Sequence, residues 1–339
     1  MPTFQTSVNL RLNEFKKAPF YGAFYFMSNN WQHNTRNTLK GANSCNAFFE
    51  TQQFQDQSFP IKIPLDFANL IDKNNPNDPL LKQVISVDTQ KQIGFSESPL
   101  EDESNAPVAG LIHKYPNRVL LIASRVCAIH CQYCFRQNFD YNGHDAISNW
   151  SAIEDYICQH TEINEVILSG GDPLSLNDEK LQSLITYIEN ISHIKTLRIH
   201  TRSVVVTPSR ITPELVIMLA KSRLNMVLVL HINHANELSD AFAKAVQKLT
   251  NITLLNQSVL LKGVNDSVSV LSELSLGLFD LGILPYYLHL LDKVIGSEHF
   301  LVDDKDAIKL HKTLSKKLSG YLVPKLVRDE NLEMKTLVT

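Results

Sequence analysis

Cysteine is scarce in this chain, five in 339 residues, and there is no surplus of Lys and Arg: 32 basic residues against 35 acidic ones leave a formal net charge of −3. A general nucleic-acid binder needs excess positive charge to neutralise phosphates, so that class is excluded. No uninterrupted apolar run is long enough to cross a bilayer, which argues against a membrane protein. The opening residues, MPTFQTSVNLRLNEFKK, lack the apolar stretch and small-residue cleavage site of a secretory signal. Internal repeats and low-complexity segments are missing as well. The expectation is a soluble cytoplasmic protein, and its 44% hydrophobic and 20% charged content is ordinary for one. In that compartment thiols stay reduced, so a cysteine cluster points to metal or catalysis rather than to disulfides.

Such a cluster is present. The stretch RVCAIHCQYCFRQNF, residues 125–139, holds three of the five cysteines at Cys127, Cys131 and Cys134. Scattering five cysteines over 339 positions would produce C-x3-C-x2-C about once in a thousand sequences. Cys45 and Cys158 stand apart and read as plain thiols, Cys158 on the apolar side of a helix.

The length suits one large α/β domain, or a barrel with an appendage. Residues 1 to about 105 are poor in strand signals. IPLDFANLID has helical spacing, NNPNDP reads as a turn, and GFSESPLEDESNAPVAG is an acidic connector. Beyond it the pattern changes to short continuous apolar runs at 118–124, 164–170, 194–201, 225–232, 251–260 and 284–292, as expected of parallel strands buried on both faces. Helix-like stretches at 147–160, 177–190, 212–222, 236–249, 267–282 and 303–318 alternate with them, with Asp178, Thr212 and Ser267 as starts or caps. Six β-then-α units are too few for an eight-stranded barrel and enough for an open one; a doubly wound sheet is the rival. In either fold the working groups gather past the C-terminal ends of the strands. Here those groups are the cysteine loop, SGGD, HTR, HINHAN, NQS and Asp292.

Three thiolates can hold three irons of a [4Fe–4S] cluster and leave one iron without a protein ligand. The alternative, zinc with His130 as fourth ligand, is weak, because structural zinc sites usually pair two short knuckles and no second one follows. With Tyr133 before the third cysteine, the motif resembles the signature of radical S-adenosylmethionine enzymes. GLIHKYPNRVLL (110–121), CQYCFRQNF (131–139), LSGGDPL (168–174), LRIHTR (197–202), HINHANE (231–237), NQSVLLKGVND (256–266), PYYLHLLD (285–292) and SGYLVPKL (319–326) together resemble the lysine 2,3-aminomutase family. The likeness spans roughly residues 75–335. It is strongest to the short bacterial branch that makes β-lysine for modifying elongation factor P. The long clostridial type carries a cysteine-containing C-terminal extension, whereas this sequence stops at Thr339.

The resemblance implies a partial (β/α)6 barrel with an N-terminal mainly helical extension. Its expected divisions are residues 1–105, 106–320 and a C-terminal segment at 321–339. It also implies three cofactors. A [4Fe–4S] cluster on Cys127, Cys131 and Cys134 would bind S-adenosyl-L-methionine at its open iron. Gly170, Gly171, Asp172, Gln257 and His231 would contact that cofactor. Lys114, Tyr115 and Arg118 would contact pyridoxal 5′-phosphate, with Lys335 as its Schiff-base lysine and Lys325 a less fitting substitute. Arg136 would take the substrate carboxylate, and Asp292 and Asp329 the distal ammonium. Family basic residues next to Arg136 are replaced here by Gln137 and Asn138, and the proline after the Schiff-base lysine by Leu337.

The implied activity is conversion of L-lysine to β-lysine. A one-electron donor such as flavodoxin or ferredoxin would reduce the cluster, and a lysine ligase acting on elongation factor P would consume the product. The N-terminal segment would serve as a cap or homo-oligomer contact. The rivals are the same chemistry on glutamate or arginine, or a non-catalytic iron–sulfur or zinc protein.

Overall fold

In a computed structural model of the chain, residues 30–56, 59–85, 92–100, 102–329 and 336–338 are described. The first of these form helix α1 (Asn30–Arg36), strand β1 (Thr38–Lys40) and helix α2 (Gly41–Phe49). Strand β2 (Lys62–Pro64) returns antiparallel to β1, pairing Thr38 with Pro64. This small ribbon interrupts what the sequence presents as a helical region. Two single turns of helix follow, Leu65–Ala68 and Pro79–Lys82. Asp78 caps the second, its Oδ1 accepting from the backbone N–H groups of Leu80 and Leu81 at 2.8 and 2.9 Å.

The large sheet opens with a hairpin, β3 (Leu111–Tyr115) and β4 (Arg118–Ser124), paired antiparallel. From β4 onward every apolar run read as a strand forms one: β5 (Glu165–Gly170), β6 (Thr196–Thr201), β7 (Asn225–His231), β8 (Thr253–Val259) and β9 (Leu284–His289). They run parallel, each beside its predecessor. The intervening helices are α3 (Trp150–Gln159), α4 (Asp178–Glu189), α5 (Pro213–Lys221), α6 (Asp240–Val246) and α7 (Val268–Asp280), with α8 (Asp304–Lys317) after β9. The chain then adds a seventh parallel strand, β10 (Lys325–Arg328), and an antiparallel edge, β11 (Thr336–Leu337).

Strand order is strictly sequential from β3 to β11. A doubly wound sheet would reverse its order at a switch point; none occurs, so the sheet is a singly wound, open barrel. β5 is apolar without alternation, Val166, Ile167 and Leu168 each being buried. β6 and β8 depart from the expected pattern and alternate buried with half-buried positions, among the latter the cavity-lining Arg198, His200 and Gln257. The helices supply one cover with regular stripes, such as Leu181, Leu184, Ile185 and Ile188 on α4. Thr212 and Ser267 cap their helices through their side chains, and Asp178 is the first helical residue behind its cap, Asn177. Among the described residues no helix is long and apolar enough to cross a membrane.

One hydrophobic core joins the N-terminal elements to the barrel, mixing Cys45, Phe49, Ile63 and Phe67 with Leu121, Leu168 and Leu197. Removing a buried ring such as Phe67 would cost about 3–5 kcal/mol. Cys158 departs from expectation. It lies on α3 but is exposed, because the buried stripe runs through Trp150, Ile153 and Ile157 and the next position rotates about 100° away.

Candidate functional site

The cysteine loop leaves β4 at Ser124 and is bracketed from two sides. From the N-terminal side, Lys62 Nζ donates to the carbonyl of Cys127 at 2.5 Å, while the Lys62 carbonyl accepts from the N–H of His130 at 3.0 Å. The Gln83 carbonyl accepts from the N–H of Gln132 at 2.9 Å. From the barrel side, Gly171 N–H donates to Ser124 O at 2.7 Å and Asp172 N–H to Val126 O at 2.9 Å. The glycines are required by this approach. Gly170 has φ of +101°, and a Cβ on Gly171 would stand 2.7 Å from the Val126 carbonyl oxygen. Within the loop, Cys134 N–H closes a turn onto the Cys131 carbonyl at 3.0 Å.

Burial and the neighbouring thiols push Cys134 up to about 11 and Cys127 well above the usual thiol range. Both thiols therefore hold their protons until a cation offsets the thiolate charge. Among the described residues no three His, Cys, Asp or Glu side chains converge on one ion position. His130 is drawn away from the loop, its Nδ1 2.7 Å from the Pro60 carbonyl and its ring stacked on Phe59.

Beneath the loop lies a buried polar node to which the HTR and HINHAN segments contribute Arg202, His231 and Asn233. Arg202, at the end of β6, reaches Cys131 Sγ at 2.8 Å through Nη1, which also meets the Tyr133 hydroxyl. Its Nη2 donates to Gln83 Oε1 at 2.8 Å and Glu237 Oε2 at 3.1 Å. Asn233 Nδ2 donates to the Tyr133 hydroxyl at 2.6 Å, and His231 Nε2 pairs with the same hydroxyl at 2.8 Å. Burial, then the Arg202 charge, holds His231 well below the usual imidazole range, so it is neutral at physiological pH.

One cavity of about 320 Å³ runs beside the cysteine loop; the candidate site residues named above line it, apart from the alternatives Lys325 and His130 and from Lys335, which lies outside the described residues. Cys127, Cys131, Cys134 and Arg136 come from the loop after β4, and Gly170, Gly171 and Asp172 from the end of β5. His231 ends β7, Gln257 belongs to β8, Asp292 follows β9 and Asp329 follows β10. Lys114, Tyr115 and Arg118 sit at the β3–β4 turn, the opposite end of β4 from the cysteines. The Arg118 guanidinium lies 3.6 Å from the centre of the Tyr115 ring. Lys325 is exposed at the start of β10 and does not line the cavity.

Several of these groups have partners that bear on their use. The Asp172 carboxylate accepts four hydrogen bonds, from Leu174 N, Thr201 Oγ1, Arg202 N and Ser203 N, all within 3.0 Å. It thereby ties the glycine turn to β6, and an ammonium would share oxygens already engaged. Arg136 Nε donates to Asp102 Oδ2 at 2.7 Å and Nη1 to Ser169 Oγ at 3.3 Å. Asp329 lies 3.7 Å from His289 Nδ1. The cavity wall also carries Tyr286, Tyr287 and His289. These three fall inside the PYYLHLLD motif; alternation along β9 was the available signal for Tyr287 and His289, while Tyr286 adjoins them out of phase.

Sequence comparison agrees with this chemistry. The 4Fe-4S single cluster domain family matches residues 117–211. Over 296 residues, 86% of this chain and 88% of the other, the sequence is 50% identical to a Haemophilus influenzae protein named L-lysine 2,3-aminomutase. It is 48% identical over 276 residues to one of that name from Escherichia coli, covering 80% of each chain. A third, from Clostridium subterminale, is 36% identical over 314 residues, 89% of this chain and 75% of the other. A radical SAM methyltransferase structure from Sphaerobacter thermophilus aligns with a TM-score of 0.47 at 16% identity over 66% of this chain and 69% of that one, a likeness on which nothing rests. The barrel and its three-thiol loop define an iron–sulfur enzyme. The chain belongs to the L-lysine 2,3-aminomutase family, whose members are radical S-adenosylmethionine, pyridoxal phosphate-dependent isomerases.

Proposed function

We propose that this chain converts L-lysine to β-lysine. The observation that carries the reading is that Cys127, Cys131 and Cys134 share one cavity wall with Arg136, Asp292 and Asp329, in a chain of this family. When bound, the cluster and S-adenosylmethionine supply hydrogen abstraction, and pyridoxal phosphate supplies the π-system through which the amino group moves.

The reading gives each residue a task. Cys127, Cys131 and Cys134 hold three irons and leave the fourth open. Gly170 and Gly171 let the backbone approach S-adenosylmethionine, with Asp172 fixing their turn and Gln257 and His231 facing the same cofactor. Lys114 and Arg118 offer positive charge to the phosphate of pyridoxal phosphate, beside Tyr115. Lys335 is the amine assigned to that cofactor's aldehyde. Arg136 receives the substrate carboxylate, and Asp292 and Asp329 neutralise the distal ammonium, since an unpaired buried charge is costly.

The same reading assigns partners. A one-electron carrier of the flavodoxin or ferredoxin kind reduces the cluster in a reducing cytoplasm. A separate lysine ligase consumes β-lysine to modify elongation factor P. The chain associates with copies of itself.

Substrate selectivity tests the reading. Chain reconstituted anaerobically with iron and sulfide should turn over L-lysine and leave L-glutamate and L-arginine unchanged. Borohydride reduction in the presence of pyridoxal phosphate should tag the peptide carrying Lys335. Preference for glutamate would overturn the substrate assignment, and zinc bound in place of iron would overturn the enzyme reading altogether.

A further inference from the structure

We propose that Arg202 is a positioning residue for the iron–sulfur centre: its guanidinium donates a charge-assisted N–H···S hydrogen bond to the Cys131 thiolate and thereby sets how readily the cluster accepts its electron. The inference rests on the reading of Cys131 as an iron ligand. It begins from the 2.8 Å contact between Arg202 Nη1 and Cys131 Sγ.

The contact is built rather than incidental. Arg202 is 6% exposed and Glu237 fully buried, so the pair lies where charge is weakly screened. Asp172 Oδ2 accepts from the Arg202 backbone N–H at 2.8 Å and anchors the residue at its root. Glu237 and Gln83 hold Nη2, so rotation about the guanidinium is fixed and Nη1 is presented to the sulfur. Glu237 is itself secured by the N–H groups of Asn233 and His234 at 3.0 and 3.1 Å. Partners from residue 83 to residue 237 thus converge on one guanidinium under one cysteine.

The consequence follows from charge. Reduction adds one electron, delivered by an external one-electron donor, to a cluster whose sulfur ligands are already anionic. A hydrogen bond to a ligand sulfur strengthens as that sulfur becomes more negative, so it favours the reduced state and raises the potential. No proton accompanies the electron, because the guanidinium is charged before and after. Burial works against that charge, but Cys131, Tyr133 and Glu237 hold the group above the ordinary arginine range. A purely structural pin between β6 and the N-terminal segment would leave the potential unchanged.

Pulsed electron paramagnetic resonance of the full chain tests this directly. Protein labelled with arginine carrying 15N in the guanidinium alone, because the Arg136 backbone amide itself hydrogen-bonds Cys134, is loaded with its cluster and reduced with dithionite. A 15N coupling on the reduced-cluster signal is expected, retained in Arg136→Lys and lost in Arg202→Lys. Redox titration should show the reduced-to-oxidised ratio at a fixed potential falling about tenfold in Arg202→Lys, equivalent to a midpoint lowered by about 59 mV for a one-electron couple. Should Arg202→Lys fail to fold, the spectra of the unsubstituted protein and of Arg136→Lys still decide. A reduced cluster with no arginine coupling in the unsubstituted protein would overturn the inference while sparing the cluster. Absence of any iron–sulfur signal would remove the ligand assignment and the inference with it.

Discussion

Arg136 and Asp102 form an ion pair in the wall of the cavity, Nε to Oδ2 at 2.7 Å, with side chains 9% and 14% exposed. The pair engages one edge of the guanidinium and Ser169 touches Nη1, so Arg136 is oriented before any substrate arrives. A pre-oriented arginine binds a carboxylate without having to be ordered first. Asp102→Asn should therefore raise the KM for L-lysine about tenfold while kcat changes less, as expected for losing a charge-assisted bond of about 1.5 kcal/mol. An unchanged or lowered KM would mean that Asp102 competes with substrate instead of positioning its partner.

The two aspartates make a stronger demand. Breaking one partner of a buried charge pair costs about 3–5 kcal/mol, which is about two to four orders of magnitude in kcat/KM. Asp292→Asn should lower kcat/KM for L-lysine by that much and should spare a substrate analogue lacking the distal amine. Steady-state kinetics on both compounds checks it. Equal losses on the two would remove Asp292 from the ammonium.

Gly171 is a test of the loop itself. A Cβ there would meet the nitrogen, carbonyl carbon and oxygen of Val126 at 2.8, 3.0 and 2.7 Å, all backbone atoms. Neither side can yield cheaply, and overpacking of this kind costs about 1–3 kcal/mol. Gly171→Ala should fold less stably and hold less iron per chain, whereas Gly143→Ala, where nothing lies within 4 Å, should keep its iron despite its own backbone strain at φ of +76°. Iron analysis after reconstitution separates the two.

Stability should fall on mild acidification. His130, His231 and His234 all have pKa values lowered in the folded chain, chiefly by burial. Their unfolded counterparts bind a proton below about pH 6.5 while the folded groups resist it. The contribution is therefore complete above that pH and declines as pH falls below it, by at most about 1.4 kcal/mol per pH unit for each group. Urea midpoints with and without iron should drop between pH 6.5 and 5.5. A midpoint that rises over that interval would contradict the assignment.

What the sequence made legible follows from the range of the interactions. β4 coincides with its apolar run and β5 to β9 fall within theirs, because core burial concentrates hydrophobic residues in each strand, whereas β3 and β11 had no run. The ribbon β1–β2 and the strand β10 were not visible, since three or four residues carry too short a pattern. The cysteine loop was legible because its thiols are neighbours in sequence. Arg202 was marked only as part of HTR past a strand end, and its partners were not legible: Gln83 and Glu237 lie 119 and 35 residues away, and no local spacing announces such a node. Cys158 misled because one position on a helix exchanges the core face for solvent.

The most direct measurement is an anaerobic assay of the iron-reconstituted chain with S-adenosylmethionine, a reductant, pyridoxal phosphate and L-lysine, resolved by chiral chromatography with mass detection. The account predicts β-lysine, together with 5′-deoxyadenosine. An intact cluster that yields neither product would contradict it.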